Sequence, residues 1–270
     1  MLTQTGTQIL AFTQDDYPAL AELENAVYPE YPNSVDELRF DDEHRDPKCR
    51  FERYLAVQDG RVAGVGLFGQ SAGMYHPRRF FLDLSVLPAA RGRGIGAALY
   101  THLLARLEPA APLSVAADAR ADWSRGLRFL TDRGFVERMR SWESRLDVVA
   151  FDPAPFAGAT ERALAGGIVI KTFAELAADP DRDRKLYELD RDLEEDVPHP
   201  EPVTPISFEL FASRVLENPD LLPDAYFVAV DRTTGAYAGM NALWHSQASA
   251  DLYNGLTGVR RKYRRRGIAL

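Results

Sequence analysis

Strand-like and helix-like hydrophobic periods alternate along the first half of the chain. Leu20, Leu23 and Val27 recur at helical spacing, and the Asp-Gly pair at 59–60 separates two apolar runs as a tight hairpin turn does. The pattern predicts, in chain order, a strand over 8–13, helices beginning after 15 and after 34, strands over 54–57 and 62–68, a strand over 80–87, a helix over 95–107, a strand over 113–117, a helix over 123–133 and a long last strand over 135–148.

The second half begins a similar order after a break in composition. Residues 151–166 are rich in proline, alanine and glycine, which favours a linker. We therefore divide the chain into a first domain (1–150), a linker (151–166) and a second domain (167–270). The second domain is predicted to contain a strand over 168–172, helices over 184–193 and 208–216, a hairpin over 226–231 and 237–244, and a strand over 252–259.

The two halves match at a nearly constant offset, which indicates an internal repeat. An offset of 173 residues pairs Gly94 with Gly267 and Arg91 with Arg264. Between the hairpin strands this offset changes by two residues, and the change falls in a turn. The alternative is coincidence between two unrelated α/β domains. Leu270 aligns with Ala97, so 98–147 has no counterpart. We therefore expect the second copy to be a partial domain, either because the chain is a fragment or because another chain completes it.

Composition and charge exclude several classes of protein. The chain has 270 residues, a formal net charge of −8 and one cysteine, so a disulfide-stapled scaffold and a cysteine zinc site are both excluded. The five histidines lack the spacing of metal ligands, and we predict no metal. No leader-like start and no apolar run of membrane-spanning length is present, so a cytoplasmic protein is expected.

The strongest chemical signal is the glycine-rich string VLPAARGRGIGA at 86–97. Glycines at 92, 94 and 96 allow positive φ and a close approach of a ligand to the backbone. The N–H groups at the start of the next helix would point at an anion, and Arg91 and Arg93 add positive charge. These features predict a pyrophosphate cradle. The string has no Walker lysine, and no acidic ribose ligand follows it as in a Rossmann fingerprint.

This string matches R-x-x-G-x-G and resembles the acetyl-CoA loop of the GNAT acyltransferase superfamily. The second copy, VRRKYRRRGIA at 259–269, matches the variant R-x-x-G-x-A. The whole chain is similar to two tandem GNAT domains, as in mycothiol synthase-like enzymes. The resemblance implies an α/β (α+β) fold in which each domain is a twisted, mostly antiparallel sheet flanked by helices.

The resemblance also implies where acetyl-CoA binds. The strand before each loop would pair with the pantetheine arm, through Leu84 and Val86 in the first copy and Thr257 and Val259 in the second. The first loop would supply Arg91, Gly92, Arg93, Gly94, Ile95, Gly96 and Ala97, and the second Arg264, Arg265, Arg266, Gly267, Ile268 and Ala269. The implied reaction is direct attack of a primary amine of a small molecule on the thioester.

Catalytic residues are less clearly marked than the loops. Asp83 is the candidate general base, although a solvated or structural ion-paired carboxylate is an equal alternative. Glu143 is a second candidate carboxylate. The position of the family's proton-donating tyrosine holds Leu130, and that of its upstream asparagine holds Trp123. Either water protonates the thiolate or the first copy binds the coenzyme with little catalysis.

Three alternatives follow from charge and from these departures. The acidic stretch 188–196 could attract a cationic amine, although a solvated helix face is the favoured interpretation. One copy could be degenerate, which would leave an acetyl-CoA-binding protein. The basic run 260–266, with six basic residues, could instead bind phosphates or nucleic acid, but its register coincides with that of the coenzyme loop.

Overall fold

The computed structural model describes residues 6–269 and divides into two compact units. The first unit runs to Arg138 and includes Gln247–Ser249, whereas the second comprises Met139–Ser246 and continues from Ala250. Each unit has a sheet of its own and several helices. The mixed α/β class with flanked, mostly antiparallel sheets is therefore confirmed.

The first unit contains a five-stranded sheet in the order β1-β2-β3-β4-β5. Neighbouring strands are antiparallel except for the parallel pair of β4 and β5, which α3 connects, as parallel strands require a crossover. The strands are β1 (Gln8–Ala11), β2 (Phe51–Gln58), β3 (Arg61–Gly69), β4 (Arg79–Val86) and β5 (Ser114–Ala117), and the helices are α1 (Tyr17–Val27), α2 (Val35–Glu43), α3 (Ile95–Leu107) and α4 (Ser124–Thr131).

Two apolar clusters cover the two faces of this sheet. Strand β2 contributes Leu55 to one cluster and Tyr54 and Ala56 to the other, as the alternation of side chains along a strand requires. The first cluster joins α1 to the sheet through Leu20, Leu23, Val27, Leu55 and Val65. The second joins α3 to the sheet through Phe68, Phe80, Leu82, Leu99 and Leu103. Helices α1 and α3 thus lie on opposite faces.

Strands β4 and β5 pair over only part of the length of β4. Their register begins at Arg79 with Ser114 and ends at Leu82 with Ala117, whereas β4 stays paired with β3 as far as Val86. The last four residues of β4 therefore have a strand on one side only. This gap is where the resemblance to GNAT enzymes predicts the separation of the two strands.

The second unit contains strands in the order β10-β8-β7-β6, with β9 also paired to β8. All of its pairs are antiparallel. Its elements are α5 (Ala159–Ala165), β6 (Ile168–Thr172), α6 (Arg182–Glu194), α7 (Phe208–Phe211), which continues as a π-helical turn over Ala212–Leu216, β7 (Leu221–Asp231), β8 (Tyr237–His245), β9 (Leu252–Asn254) and β10 (Gly258–Val259).

Helices α1 and α2 of the first unit share details of sequence and packing with α6 and α7 of the second. Ser34 and Ser207, 173 residues apart, are both N-caps whose hydroxyls accept a hydrogen bond from the third helical N–H. At an offset of 166, the buried leucines and valine of α1 correspond to three buried leucines of α6. These sets are Leu20, Leu23 and Val27 in α1 and Leu186, Leu189 and Leu193 in α6.

Three sequence predictions differ from the structure. The last strand predicted over 135–148 is wrong, because these residues form no strand, and Val136, Trp142 and Leu146 are exposed rather than packed against a partner. The segment 151–166, predicted as a linker, contains helix α5. The strand predicted over 252–259 is divided into β9 and β10, and Asn254 donates a side-chain hydrogen bond to Thr257 (3.0 Å) in the interruption.

Candidate active site

The first glycine-rich loop lies between the end of β4 and the start of α3. A 3-10 turn over Pro88–Ala90 precedes it, and Gly92 and Gly94 have φ values of +83° and +84°. Residues with a β-carbon rarely adopt this conformation, which explains the two glycines. Helix α3 starts at Ile95 with no side-chain cap at its N-cap, Gly94. The free N–H groups of its first turn can therefore bind an anion.

The arginines of the first loop carry positive charge that no carboxylate neutralises. The Nε of Arg91 donates a hydrogen bond to the carbonyl oxygen of Val86 (3.1 Å), and its guanidinium carbon lies 5.5 Å from the ring centre of Trp123. Arg91 and Arg93 are exposed. Neither forms an ion pair within residues 6–269. The loop is thus a cationic surface suited to phosphate.

The main chain at the end of β4 is partly open on the side of β5. The N–H of Leu87 donates to the carbonyl oxygen of Ala63 (3.0 Å). In an antiparallel pair every second residue is hydrogen-bonded to the neighbouring strand, so the main-chain groups of Ser85 and Asp83 also point toward β3. The main-chain groups of Leu84 and Val86 consequently point away from β3, into the gap that opens where β5 ends. The carbonyl oxygen of Val86 accepts a hydrogen bond from Arg91. The rest of this edge of β4 is accessible to an extended ligand.

Asp83 faces solvent from the opposite side of β4 to the α3 cluster. Part of the residue's surface is accessible, but the protein atoms packed around the carboxylate remove part of its hydration, and this desolvation raises the pKa of Asp83. A hydrogen bond from the Leu84 backbone opposes that rise, and the negative charge of Asp118 adds to it. A carboxylate with a raised pKa is a stronger base than an ordinary one.

Helix α1 and the residue that ends it contribute two polar residues that no sequence motif predicted. The Ser85 hydroxyl donates to the Tyr28 hydroxyl at 3.5 Å, and burial raises the pKa of Tyr28. Glu24 lies one helical turn before Tyr28, and burial, with the charge of Asp83 as a further cause, raises its pKa to about 7. The available signal was a glutamate inside the buried helical stripe, directly after Leu23.

Trp123 and Leu130 occupy the two positions where the sequence departs from the GNAT pattern. The indole of Trp123 stacks on Tyr28 with ring centres 5.1 Å apart, and it packs in the same cluster as α1. Leu130, on α4, is partly buried and has no proton to donate. The expected tyrosine is therefore absent, and Tyr28 is the phenol beside the end of β4.

The second loop repeats the backbone geometry of the first with different residues. The Nε of Arg264 donates to the carbonyl oxygen of Val259 (2.9 Å), the same bond that Arg91 makes. Gly267 has a φ of +73°, and Arg265 has a φ of +64° where the first loop has Gly92. Thr257 lies outside the strands, and its hydroxyl accepts a hydrogen bond from Asn241 (2.6 Å).

The charges of the second loop are paired within the second unit. Asp196 binds both Arg261 (2.5 Å) and Arg264, and Arg260 binds Asp192 (2.8 Å). Hydrogen bonds from Arg261 lower the pKa of Asp196, so it stays ionised. Part of the acidic stretch 188–196 therefore faces these arginines, and three of the six basic residues at 260–266 are ion-paired with two carboxylates.

Asp190, also on α6, differs from its neighbours in the acidic stretch. It forms no hydrogen bond or ion pair within the described part of the chain, and burial, with Glu194 as a second cause, raises its pKa to about 7. At an offset of 166 it corresponds to Glu24. Both units thus carry a partly buried carboxyl at the same position of the first long helix.

The remaining candidates form no further site. Glu143 lies in the exposed segment after α4 and pairs with Arg145 (2.7 Å). Among residues 6–269, no group of three or more His, Cys, Asp or Glu side chains could hold a metal ion. The same residues include no helix with the length and apolar character needed to cross a membrane.

The chain is similar to known acetyltransferases in sequence and in structure. Residues 17–135 match the acetyltransferase (GNAT) family. The whole chain is similar to a GCN5-related N-acetyltransferase from Sphaerobacter thermophilus, with 21% identity, a TM-score of 0.65 and coverage of 100% of this chain and 80% of that one. A search of curated protein sequences finds no match.

Two further structures resemble the whole chain. A tandem GNAT protein from the clavulanic acid biosynthesis pathway is 18% identical over 98% of this chain and 82% of that one, with a TM-score of 0.61. A fungal GCN5-related glucosamine N-acetyltransferase region is 14% identical over 99% of this chain and 33% of that one, with a TM-score of 0.63. At these identities the likeness shows the fold. The family match identifies residues 17–135 as a GNAT acetyltransferase domain, and the protein is an acetyltransferase.

Proposed function

We propose that the first unit transfers an acetyl group from acetyl-CoA to a primary amine of a small molecule by direct attack. The observation that carries this proposal is the loop at 91–97, where positive charge without carboxylate partners adjoins the open edge of β4. The pyrophosphate would bind the loop and the first turn of α3. The pantetheine arm would pair with the main chain of Leu84 and Val86.

Asp83 is proposed as the general base, with Glu24 as a second carboxyl beside it. The amine nitrogen forms a bond to the thioester carbon, and the C–S bond breaks with its electron pair on sulfur. The proton lost by the amine goes to the carboxylate of Asp83. The leaving thiolate takes a proton from water, because Leu130 has none to give, and the hydroxide that forms takes the proton from Asp83, which regenerates the carboxylate. Donors on the backbone of β4 would stabilise the oxyanion.

The second unit is proposed as a degenerate copy with weak coenzyme affinity. Its loop residues (Thr257, Val259, Arg264, Arg265, Arg266, Gly267, Ile268 and Ala269) would receive pyrophosphate only after Asp196 releases Arg261 and Arg264. The same ion pairs disfavour nucleic-acid binding by 260–266. We also propose a cytoplasmic location, which suits a chain with a single cysteine.

Calorimetric titration with acetyl-CoA, together with thermal unfolding, tests this proposal. The first-loop variant is Arg91→Glu with Gly94→Glu, and the matched control is Arg264→Glu with Gly267→Glu. At 100 times Kd a ligand adds about 2.7 kcal/mol to stability, and a shift of several degrees in Tm follows. We expect the first variant to lose this shift and the control to keep it. No shift in the unaltered protein would refute the proposal.

Turnover is tested separately by CoA release in the presence of a panel of primary amines. We expect Asp83→Asn to lower the rate with each accepted amine while acetyl-CoA binding is unchanged. Full activity of Asp83→Asn would exclude Asp83 as the base and leave the coenzyme site standing.

A further inference from the structure

Helix α4 is fixed against the first turn of α3 by an aromatic contact. A β-carbon added to Gly96 would lie 3.7 Å from Cε2 of Phe129, so the Phe129 ring packs directly on this glycine. The same ring makes an edge contact with Tyr100, with ring centres 5.9 Å apart, and the guanidinium of Arg133 covers it at 3.5 Å. The orientation of α4 relative to the coenzyme loop is therefore well defined.

Arg125 lies one helical turn before Phe129 and so projects from the same face of α4. Its Nη1 and Nη2 atoms lie 3.6 and 3.9 Å from the position that a β-carbon on Gly92 would occupy. The guanidinium of Arg125 is thus beside the loop at Gly92, one of its two glycines with a left-handed backbone. Arg125 is 34 residues from Arg91 in the sequence, so no local motif connects it with the loop.

Arg125 has no anionic partner within residues 6–269, unlike other arginines nearby. Arg128, on the same helix, pairs with Asp132 at 3.7 Å, and Arg120 pairs with Asp122 at 2.9 Å. Arg91, Arg93 and Arg125 thus bring three unpaired guanidinium groups to one loop. In the second loop, three arginines are instead ion-paired with Asp192 and Asp196.

Adjacent cations repel each other, and an anion bound between them relieves that repulsion. An arginine guanidinium can donate two parallel hydrogen bonds to a phosphate, which makes arginine well suited to this task. We propose that Arg125 is a third cation of the coenzyme cradle and binds the pyrophosphate from the side of α4. This proposal rests on the proposed function of the first loop.

The test compares Arg125→Gln with Arg128→Gln, an exposed arginine on the same helix as a matched control. Calorimetry measures the Kd of CoA and of dephospho-CoA, which keeps the pyrophosphate but lacks the 3′-phosphate. We expect Arg125→Gln to weaken both ligands about tenfold or more, and Arg128→Gln to change neither by more than about twofold. Thermal unfolding without ligand verifies that both variants are folded.

Each other outcome has a distinct meaning. Equal Kd values for the two variants would overturn the role of Arg125 while leaving the coenzyme site intact. A loss with CoA but not with dephospho-CoA would overturn the assignment to the pyrophosphate, because the contact would then be to the 3′-phosphate. Absence of CoA binding by the unaltered protein would refute the proposed function itself, and this proposal with it.

Discussion

The Nε of Arg91 donates a hydrogen bond to the carbonyl oxygen of Val86, 3.1 Å away, and so ties the first arginine of the loop to the end of β4. The bond uses one of the five N–H donors of the guanidinium and leaves the others for a ligand. Arg264 makes the same bond to Val259 at 2.9 Å. Each loop therefore places its first arginine by the same contact.

Arg91→Lys is expected to weaken acetyl-CoA binding by about threefold to tenfold, although the charge is kept. Lysine has one compact ammonium group and cannot both hold the Val86 carbonyl and bind a phosphate through two parallel hydrogen bonds. Calorimetric Kd values for Arg91→Lys and for the matched Arg264→Lys check this. Equal affinity of Arg91→Lys and the unaltered protein would show that charge alone matters at this position.

Gly94→Ala is expected to lower the free energy of unfolding by about 1–2 kcal/mol. A β-carbon at Gly94 would meet nothing within 4 Å, so the cost comes from its positive φ of +84°. Gly73→Ala is the control, because Gly73 has equally open surroundings without the positive φ. Urea unfolding measures both. Similar losses in the two variants would contradict a backbone origin.

Glu24→Gln is expected to stabilise the protein at alkaline pH and to have little effect below pH 4.5. Burial raises the pKa of Glu24 from 4.5 to about 7 in the folded state, so the folded state binds the proton more tightly than the unfolded state does. The stability that this proton provides is complete below pH 4.5 and is lost as the pH rises through 7. Glutamine is neutral throughout this range.

At pH 8 the gain from Glu24→Gln is expected to be about 1–3 kcal/mol, measured by urea unfolding at pH 4.5 and pH 8. Glu22→Gln, on the exposed side of the same helix, is the control. Asp190→Asn should show the same pH dependence, because burial also raises the pKa of Asp190 to about 7. A difference that does not change with pH would contradict this account.

The ion pair between Arg53 and Asp42 (2.5 Å) is largely buried in the first unit. At an offset of 173 the second unit has Tyr226 and Val215 at these positions. We expect Asp42→Val to cost about 3–5 kcal/mol, because it leaves a buried guanidinium without its partner. The double variant Arg53→Tyr with Asp42→Val should be more stable than this single variant. Urea unfolding that ranks the double variant lower would contradict the expectation.

The sequence predicted the loop and the sheet because both depend on local patterns. Gly92 and Gly94 have the positive φ that their spacing suggested, and the hairpin after Asp59-Gly60 is formed. Periodicity also placed α1 and α3 on the correct residues. These features follow from neighbours in sequence, for which residue type and spacing are sufficient.

Other features depend on residues far apart in sequence. Tyr28 reaches Ser85, and Arg125 reaches Gly92, only because α1 and α4 pack at particular places on the sheet and loop. The strand predicted over 135–148 failed for a related reason: a strand needs a neighbour to bond to, and composition does not reveal whether one is present. The pairing of Asp196 with Arg264 likewise required the fold.

The exposed segment after α4 affects how the chain behaves in solution. Val136, Trp142, Val148 and Val149 are 74%, 87%, 76% and 98% exposed. Apolar side chains in water promote contact between copies, and salts that strengthen apolar association promote it further. The net charge of −8 opposes such contact, but salt screens it. Solubility is therefore expected to fall as sulfate is added. Concentrated preparations are expected to stay in solution better at low ionic strength.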